Sequence, residues 1–300
     1  MEIIKNEFLK DHTTFQIGGP ADDYCEPETF AELIEVIHQC KSEGKKYFLL
    51  GGGSNLVFSD KGFRGTVICT KKLNKIKLIE DNLVIAEAGA TMKELVDFCT
   101  EKGLSGFEEF AGLPGTVGGA LYMNARCFEK SVSENLYETH WLEESEEDGE
   151  YKNKDILFEE DKENWDYKKS PFQNTECIIK SGTFRVKPVE NEDFKDAIKS
   201  KCAGYIKSRE EKGHFKFPSA GSVFKNNHEF GKPSGKLIDE AGLRGHTLGG
   251  AQIAEFHGNF IVNTGKAFAD DVKGLVFLAQ ETVKEKFGFQ LEPEIIFLDE

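Results

Sequence analysis

The sequence predicts a protein of mixed α and β structure in two units. In the longer one, strands and helices alternate to about Gly182–Val186; the shorter one ends the chain. Three observations carry this. Apolar residues recur at helical spacing after Pro27, a capping signal opens a second helix at Thr91, and short apolar runs bounded by glycine lie between and after them.

The first helix falls in "ETFAELIEVIHQCKSEG". Phe30, Leu33, Ile34 and Ile37 share one face, and Gly44 supplies the stop. "KYFLLGGGSN" follows as a buried strand that runs into a glycine turn, and "TVICT" and "LVIAEAG" are further strands. Thr91 and Glu94 then stand at capping-box spacing: the threonine oxygen can hold a free N–H while the glutamate reaches back. The helix they open carries Leu95, Phe98 and Cys99 inward and stops at Gly103. Glu143–Glu150, "EESEEDGE", reads as a solvated hairpin tip. Charge-rich Val189–Ala197 reads as a linker into the helix "EDFKDAIKSKCAGYIKSREEKG". In the second unit "ADDVKGLVFLAQETVKEKFG" is acidic at its start and basic near its end, as the helix dipole favours. Its apolar stripe is Val272, Leu275, Val276, Ala279 and Val283, and "EPEIIFLD" supplies a last strand.

Composition narrows the class. The chain has 300 residues, and 38 basic against 53 acidic residues give a formal charge of −15. That balance argues against non-specific binding to nucleic acid or to an anionic membrane. No apolar run approaches the roughly 20 residues a membrane helix needs, and the N-terminus lacks the apolar segment of a signal peptide. Cys25, Cys40, Cys69, Cys99, Cys127, Cys177 and Cys202 form no C-x-x-C pair, so reduced thiols in a cytoplasmic protein are expected. The histidines show no metal-ligand spacing, and no metal is expected.

Two glycine turns stand out. Gly51, Gly52 and Gly53 follow a strand and lead into Ser54 and Asn55. Absent side chains let backbone N–H groups approach an anion, and Ser and Asn add donors. No Gly-Lys-Ser/Thr follows, so this is not a Walker loop, and Leu56 stands where a Rossmann loop needs its third glycine. The second turn, "FAGLPGTVGGALYMNA", holds Gly112, Pro114, Gly115, Thr116, Gly118 and Gly119. Together they point to a large cofactor with a diphosphate; tight strand-end turns and core packing are the plainer alternatives. In "FPSAGSVFKNN", Ser222 follows Ala220 and Gly221 outside any G-x-S-x-G pattern. It could be a nucleophile, a phosphate clamp, a proton donor or a turn residue.

Six collinear blocks, however, resemble one family: "TTFQIGGPAD", "LLGGGSNLVFSDKGFRG", "GLPGTVGGALYMNA", "FPSAGSVFKN", "GKLIDEAGLRGHTLGGAQIAEFHGNFIVNTG" and "LEPEIIFL". In this order they resemble UDP-N-acetylenolpyruvoylglucosamine reductases, of the shorter type that lacks the substrate-domain insert. The resemblance is weakest between Arg126 and Lys169. It implies an α+β fold with an FAD-binding domain of vanillyl-alcohol-oxidase type over 1–187, in two α/β subdomains of about 1–68 and 69–187. A C-terminal α+β substrate domain would follow over 201–300. It further implies FAD and NADPH as cofactors, an enolpyruvyl ether of UDP-N-acetylglucosamine as substrate, and a monomer with neither nucleic-acid nor membrane partners. Residues 51–55 would bind the FAD diphosphate, and residues 112–120 would lie along the flavin.

By the same resemblance Ser222 is the proton donor, and Glu294 is a catalytic glutamate, with Glu292 the competing candidate. Lys225, Asn226 and Tyr167 would bind substrate. Two departures matter. Where the family carries Tyr-Arg, this chain reads "WDYKKSPF", so Lys168 replaces the planar fork of arginine with a point charge on a flexible stem. After "YMNA", the segment "RCFEKSVSE" stands in place of a glycine-rich continuation. A flavin oxidase of the same fold and a non-catalytic flavin- or nucleotide-sugar-binding relative are the competing functions.

Overall fold

The computed structural model describes residues 1–299. In the first lobe β1 (Ile3–Phe8) runs antiparallel to β2 (Pro20–Cys25). The chain then enters α1 (Phe30–Ser42), capped by the Thr29 side chain, which accepts from the Glu32 N–H. β3 (Tyr47–Leu50), β4 (Leu56–Phe58) and β5 (Phe63–Cys69) follow, and β5 pairs parallel with both β2 and β3 in the sheet order β1-β2-β5-β3. α1 buries Leu33, Val36, Ile37 and Cys40 against Ile68. The buried stripe is therefore rotated from the expected one: Phe30 and Ile34 are only partly covered, because the positions three, four and seven residues after Leu33 face the sheet.

The second lobe opens with β6 (Ile76–Glu80) and β7 (Leu83–Glu87), a hairpin turning on Asp81-Asn82. α2 (Met92–Lys102) carries the expected capping box between Thr91 and Glu94 and ends at Gly103, which has φ 68°. β8 (Leu104–Ser105), α3 (Val117–Tyr122) and the short hairpin of β9 (Arg126–Cys127) and β10 (Lys130–Ser131) come next. β11 (Leu136–Glu144) and β12 (Tyr151–Leu157) flank the acidic hairpin tip, and a single turn, α4 (Phe158–Asp161), leads away from them. β13 (Ile178–Arg185) completes a five-stranded sheet of order β12-β11-β13-β7-β6, antiparallel throughout. The β/α alternation read from the sequence thus yields parallel pairs in the first lobe, whereas in the second, hairpins join β6 to β7 and β11 to β12, and β13 inserts antiparallel between β7 and β11.

β14 (Lys187–Pro188) pairs with β8, and α5 (Glu192–Glu211) starts almost at once, because the Asn191 side chain accepts from the Phe194 N–H. Most of the expected linker is therefore helix. Ile198 and Cys202 of α5 are buried in the second lobe's core, so the helix runs through residue 201, where the sequence reading begins the C-terminal unit.

The C-terminal unit contains α6 (Ser234–Ala241) and an antiparallel sheet of β15 (Thr247–Leu248), β16 (Ala251–Ile253) and β17 (Ile261–Asn263). α7 (Ala269–Phe287) covers that sheet and buries all five expected stripe residues. β18 (Ile296–Leu298) then returns to pair parallel with β4 of the first lobe. Phe15, Ile17 and Val57 of the first lobe sit in the same core as α7, so the C-terminal unit is fastened to that lobe through side chains as well as a strand. Among the described residues no helix is long and apolar enough to cross a membrane.

Candidate active site

A cavity of ≈ 1670 Å³ lies where the three units meet. It exceeds the roughly 300–1,000 Å³ of a pocket for one drug-sized ligand, so a dinucleotide and a second ligand can share it. Its wall is drawn from stretch 45–49, stretch 175–179, both glycine turns, and Lys168, Ser222 and Glu294.

The two glycine turns press against each other. A Cβ on Gly52 would lie 2.5 Å from the Gly115 Cα, one on Gly51 2.5 Å from the Thr116 Oγ1, and one on Gly115 2.7 Å from the Ser54 Oγ. Gly53 (φ 62°) and Gly115 (φ 106°) also take left-handed backbone that other residues resist. Thr116 accepts from the Gly119 N–H at 3.4 Å, and the Val117 N–H reaches the Ala90 carbonyl at 2.8 Å, which fixes the second turn on the sheet. Of the residues assigned to the cofactor, Gly51, Gly52, Gly53, Ser54, Asn55, Pro114, Gly115, Thr116, Gly118 and Gly119 all line the cavity. Gly112 does not: its α-carbon packs against Arg209, whose Cδ would be 3.0 Å from an added Cβ. The result is bare backbone along the cavity wall, which suits the diphosphate of FAD.

Ser222 and Glu294 reach the cavity from adjoining extended segments. The Glu294 N–H donates to the Val223 carbonyl at 2.7 Å, and the Lys225 N–H to the Glu292 carbonyl at 2.9 Å. Asn259 clamps the serine segment, accepting from the Phe224 N–H and donating to the Phe224 carbonyl, both at 2.8 Å. From the first glycine turn, the Asn55 Nδ2 donates to the Glu294 carbonyl at 3.0 Å. Lys168 arrives from the second lobe in left-handed backbone (φ 56°), and its Nζ lies 2.5 Å from the Glu294 Oε1. Both side chains are nearly enclosed, 13% and 9% exposed. Glu292 instead is 69% exposed and pairs with Lys225 at 2.6 Å, away from the cavity wall. Lys225 and Tyr167 are likewise not among the lining residues, whereas Asn226 is. The Asn226 N–H donates to the Tyr167 hydroxyl at 3.2 Å, which links the second lobe to the serine segment.

Several lining residues escaped the sequence reading. Arg209 is 8% exposed, its guanidinium contacts the Cys127 thiol, and its Nε has no hydrogen-bond partner among the described residues. In "SREEKG" it looks like part of a solvated helix end. Burial pushes the Cys127 thiol up, with Arg209 opposing. His214 is stacked on Phe260 at 4.7 Å and is held down to about 4, first by burial and then by Arg209. The departed segment "RCFEKSVSE" forms the β9–β10 hairpin, turning on Phe128 (φ 46°) and Glu129 (φ 67°). Phe128 lines the cavity, with its ring 4.5 Å from that of Tyr205 and 5.3 Å from the Arg209 guanidinium.

Comparison with known proteins agrees with this arrangement. Residues 21–140 match an FAD binding domain, and residues 213–298 match the C-terminal domain of UDP-N-acetylenolpyruvoylglucosamine reductase. The reductase of that name from Treponema denticola is 44% identical, with 96% of this chain and 91% of the relative covered. The one from Caldicellulosiruptor bescii is 39% identical, covering 100% of this chain and 92% of its own. A crystal structure of the reductase from Thermus caldophilus superposes with a TM-score of 0.77 at 33% identity, covering 99% of this chain and 98% of the other. On this ground the chain belongs to the UDP-N-acetylenolpyruvoylglucosamine reductase family of flavin-dependent oxidoreductases.

Proposed function

We propose that the protein reduces UDP-N-acetylglucosamine enolpyruvate to UDP-N-acetylmuramate, with FAD bound and NADPH as reductant, as a cytoplasmic step of peptidoglycan precursor synthesis. The observation that carries this reading is the Lys168–Glu294 pair, which shares one cavity with Ser222 and the two glycine turns.

When bound, FAD supplies the hydride, received from NADPH, that adds to the enolpyruvyl CH2 carbon. The protein's own residues manage everything else. Gly51–Asn55 would hold the diphosphate through backbone N–H groups, and Gly115–Thr116, packed against that turn, would lie along the flavin. As the CH2 carbon gains its C–H bond, the double-bond electrons move toward the carboxylate, and an enolate develops. A cation such as Lys168, about 4 Å from that charge at an effective dielectric near 20, is worth about 4 kcal/mol before desolvation is subtracted. Ser222 then gives its proton to the neighbouring carbon. Glu294, paired with Lys168, fixes the ammonium in place and balances its charge until substrate enters. Asn226 lines the same cavity and suits the nucleotide diphosphate, and its N–H donates to the Tyr167 hydroxyl just outside the wall.

The test is product analysis. Purified protein incubated with NADPH and the enolpyruvyl nucleotide in D2O should yield UDP-N-acetylmuramate carrying one solvent deuterium, on the carbon next to the carboxylate. Consumption of oxygen with no such product would instead mark an oxidase, and unchanged substrate beside a yellow protein would mark a binding relative.

A further inference from the structure

The segment Thr13–Ile17, from the block "TTFQIGG", has no role in the reading above, yet it joins the parts that the reaction must align. The Thr14 N–H donates to the Gly53 carbonyl at 3.1 Å, in the first glycine turn. The Thr14 hydroxyl donates to the Ser219 carbonyl at 2.7 Å, and the Ser219 N–H donates back to the Thr14 carbonyl at 3.1 Å. Ser219 opens the bend that presents Ser222, three residues on.

The neighbouring residues hold this link rigid. Phe15 and Ile17 on either side of Gln16 are buried in the C-terminal core, at 0% and 2% exposure. Asn263 donates to the carbonyls of Phe15 (3.1 Å) and Gln16 (3.3 Å), while its own N–H donates to the Pro218 carbonyl at 2.9 Å. On the other side, a Cβ on Gly53 would lie 2.3 Å from the His12 carbonyl oxygen, so turn and segment are in close contact. Thr14 itself lines the cavity. One residue therefore contacts the turn assigned to the cofactor diphosphate and the bend that carries the assigned proton donor.

We propose that Thr14 is a positioning residue: its hydroxyl sets the Ser219–Ser222 bend at a fixed distance from the cofactor turn, so that the Ser222 hydroxyl meets the carbon that has to be protonated. The inference rests on the reading of Ser222 as that donor. Displacements near 1 Å at a reacting group cost on the order of 100-fold, and the backbone pair between Thr14 and Ser219 remains when the hydroxyl is lost. Thr14→Val should therefore lower the oxidative half-reaction, reoxidation of reduced enzyme by the enolpyruvyl nucleotide, by about 10- to 100-fold. Reduction by NADPH and the FAD content should stay at the parent level.

Thr14→Ser, which keeps the donor, should restore reoxidation. In a Ser222→Ala background Thr14→Val should slow it no further, because the group being positioned is gone. Equal loss in both half-reactions, loss of FAD, or an undiminished effect of Thr14→Val in the Ser222→Ala background would overturn the proposal. If the parent enzyme, reduced by NADPH, is not reoxidised by the nucleotide at all, the functional reading falls and the positioning role with it. If the parent turns over and Ser222→Ala is as fast, the serine assignment alone falls.

Discussion

Lys168→Met removes the charge from the Lys168–Glu294 pair and keeps most of the side-chain bulk. The pair is tight, 2.5 Å between Nζ and Oε1, and the carboxylate is only 9% exposed. Taking one partner from a buried pair costs about 3–5 kcal/mol, because the remaining charge is left uncompensated. Glu294 borders a large cavity that water can enter, so the low end, about 3 kcal/mol, is expected for stability. Catalysis should suffer in addition. Loss of one preorganised group facing a developing oxyanion costs on the order of 100- to 1000-fold in kcat. Lys168 lies outside both glycine turns, so FAD stoichiometry should be unchanged. The assay is steady-state turnover with NADPH and the enolpyruvyl nucleotide, alongside thermal unfolding followed by flavin fluorescence. A second variant, Lys168→Met with Glu294→Gln, removes both charges and should recover most of the lost stability without recovering kcat. A kcat within about threefold of the parent in the single variant would refute the claim that Lys168 stabilises the reaction's charge.

Three other outcomes follow from the same geometry. Lys168→Arg should raise kcat/KM, by up to about 10-fold, because a planar fork can hold a carboxylate with two hydrogen bonds; no gain, or a loss, in initial rates would show that the fork is not missed. Gly52→Ala should yield protein with little bound FAD, since the new Cβ would sit 2.5 Å from the Gly115 Cα, whereas Gly204→Ala, on exposed helix with nothing within 4 Å, should purify fully yellow. The third concerns pH. His214 is held below its usual 6.5, at about 4, so the unfolded chain takes up a proton that the folded one refuses. Its contribution is therefore complete above pH 6.5 and is lost as pH falls toward 4. His214→Phe, which can still stack on Phe260, should flatten the decline of the unfolding midpoint in that window, and an unchanged slope would contradict the assignment.

The elements legible in the sequence were those governed by local rules. The Thr91–Glu94 box, the stop at Gly103 and the α7 stripe depend on residues within a few positions of each other, and all three are found as read. The glycine turns were legible for the same reason: three adjacent glycines after a strand leave little else for the backbone to do. What was hidden depends on distant partners. The antiparallel order of the second sheet is set by which strands meet: β13 lies between β7 and β11, each separated from it in sequence by helices or other strands. Arg209 sits among charged residues that face water, and only the packing of α5 beside Gly112 and Phe128 shows that it is buried. Spacing alone leaves Glu292 as a competitor to Glu294; it is the Glu294 carboxylate that meets Lys168, across 126 residues of chain. Thr14 finds its partner, Ser219, 205 residues away, and no local pattern points to it.

In the proposed function one cavity accepts reducing equivalents from NADPH and passes them to an enolpyruvyl nucleotide. This transfer is tested most directly under anaerobic conditions, by reducing the yellow protein with stoichiometric NADPH, adding UDP-N-acetylglucosamine enolpyruvate and following the flavin absorbance. Prompt bleaching is expected, then prompt return of the oxidised spectrum with one UDP-N-acetylmuramate formed per flavin. A flavin that bleaches and stays bleached in the presence of the nucleotide would contradict the proposed function.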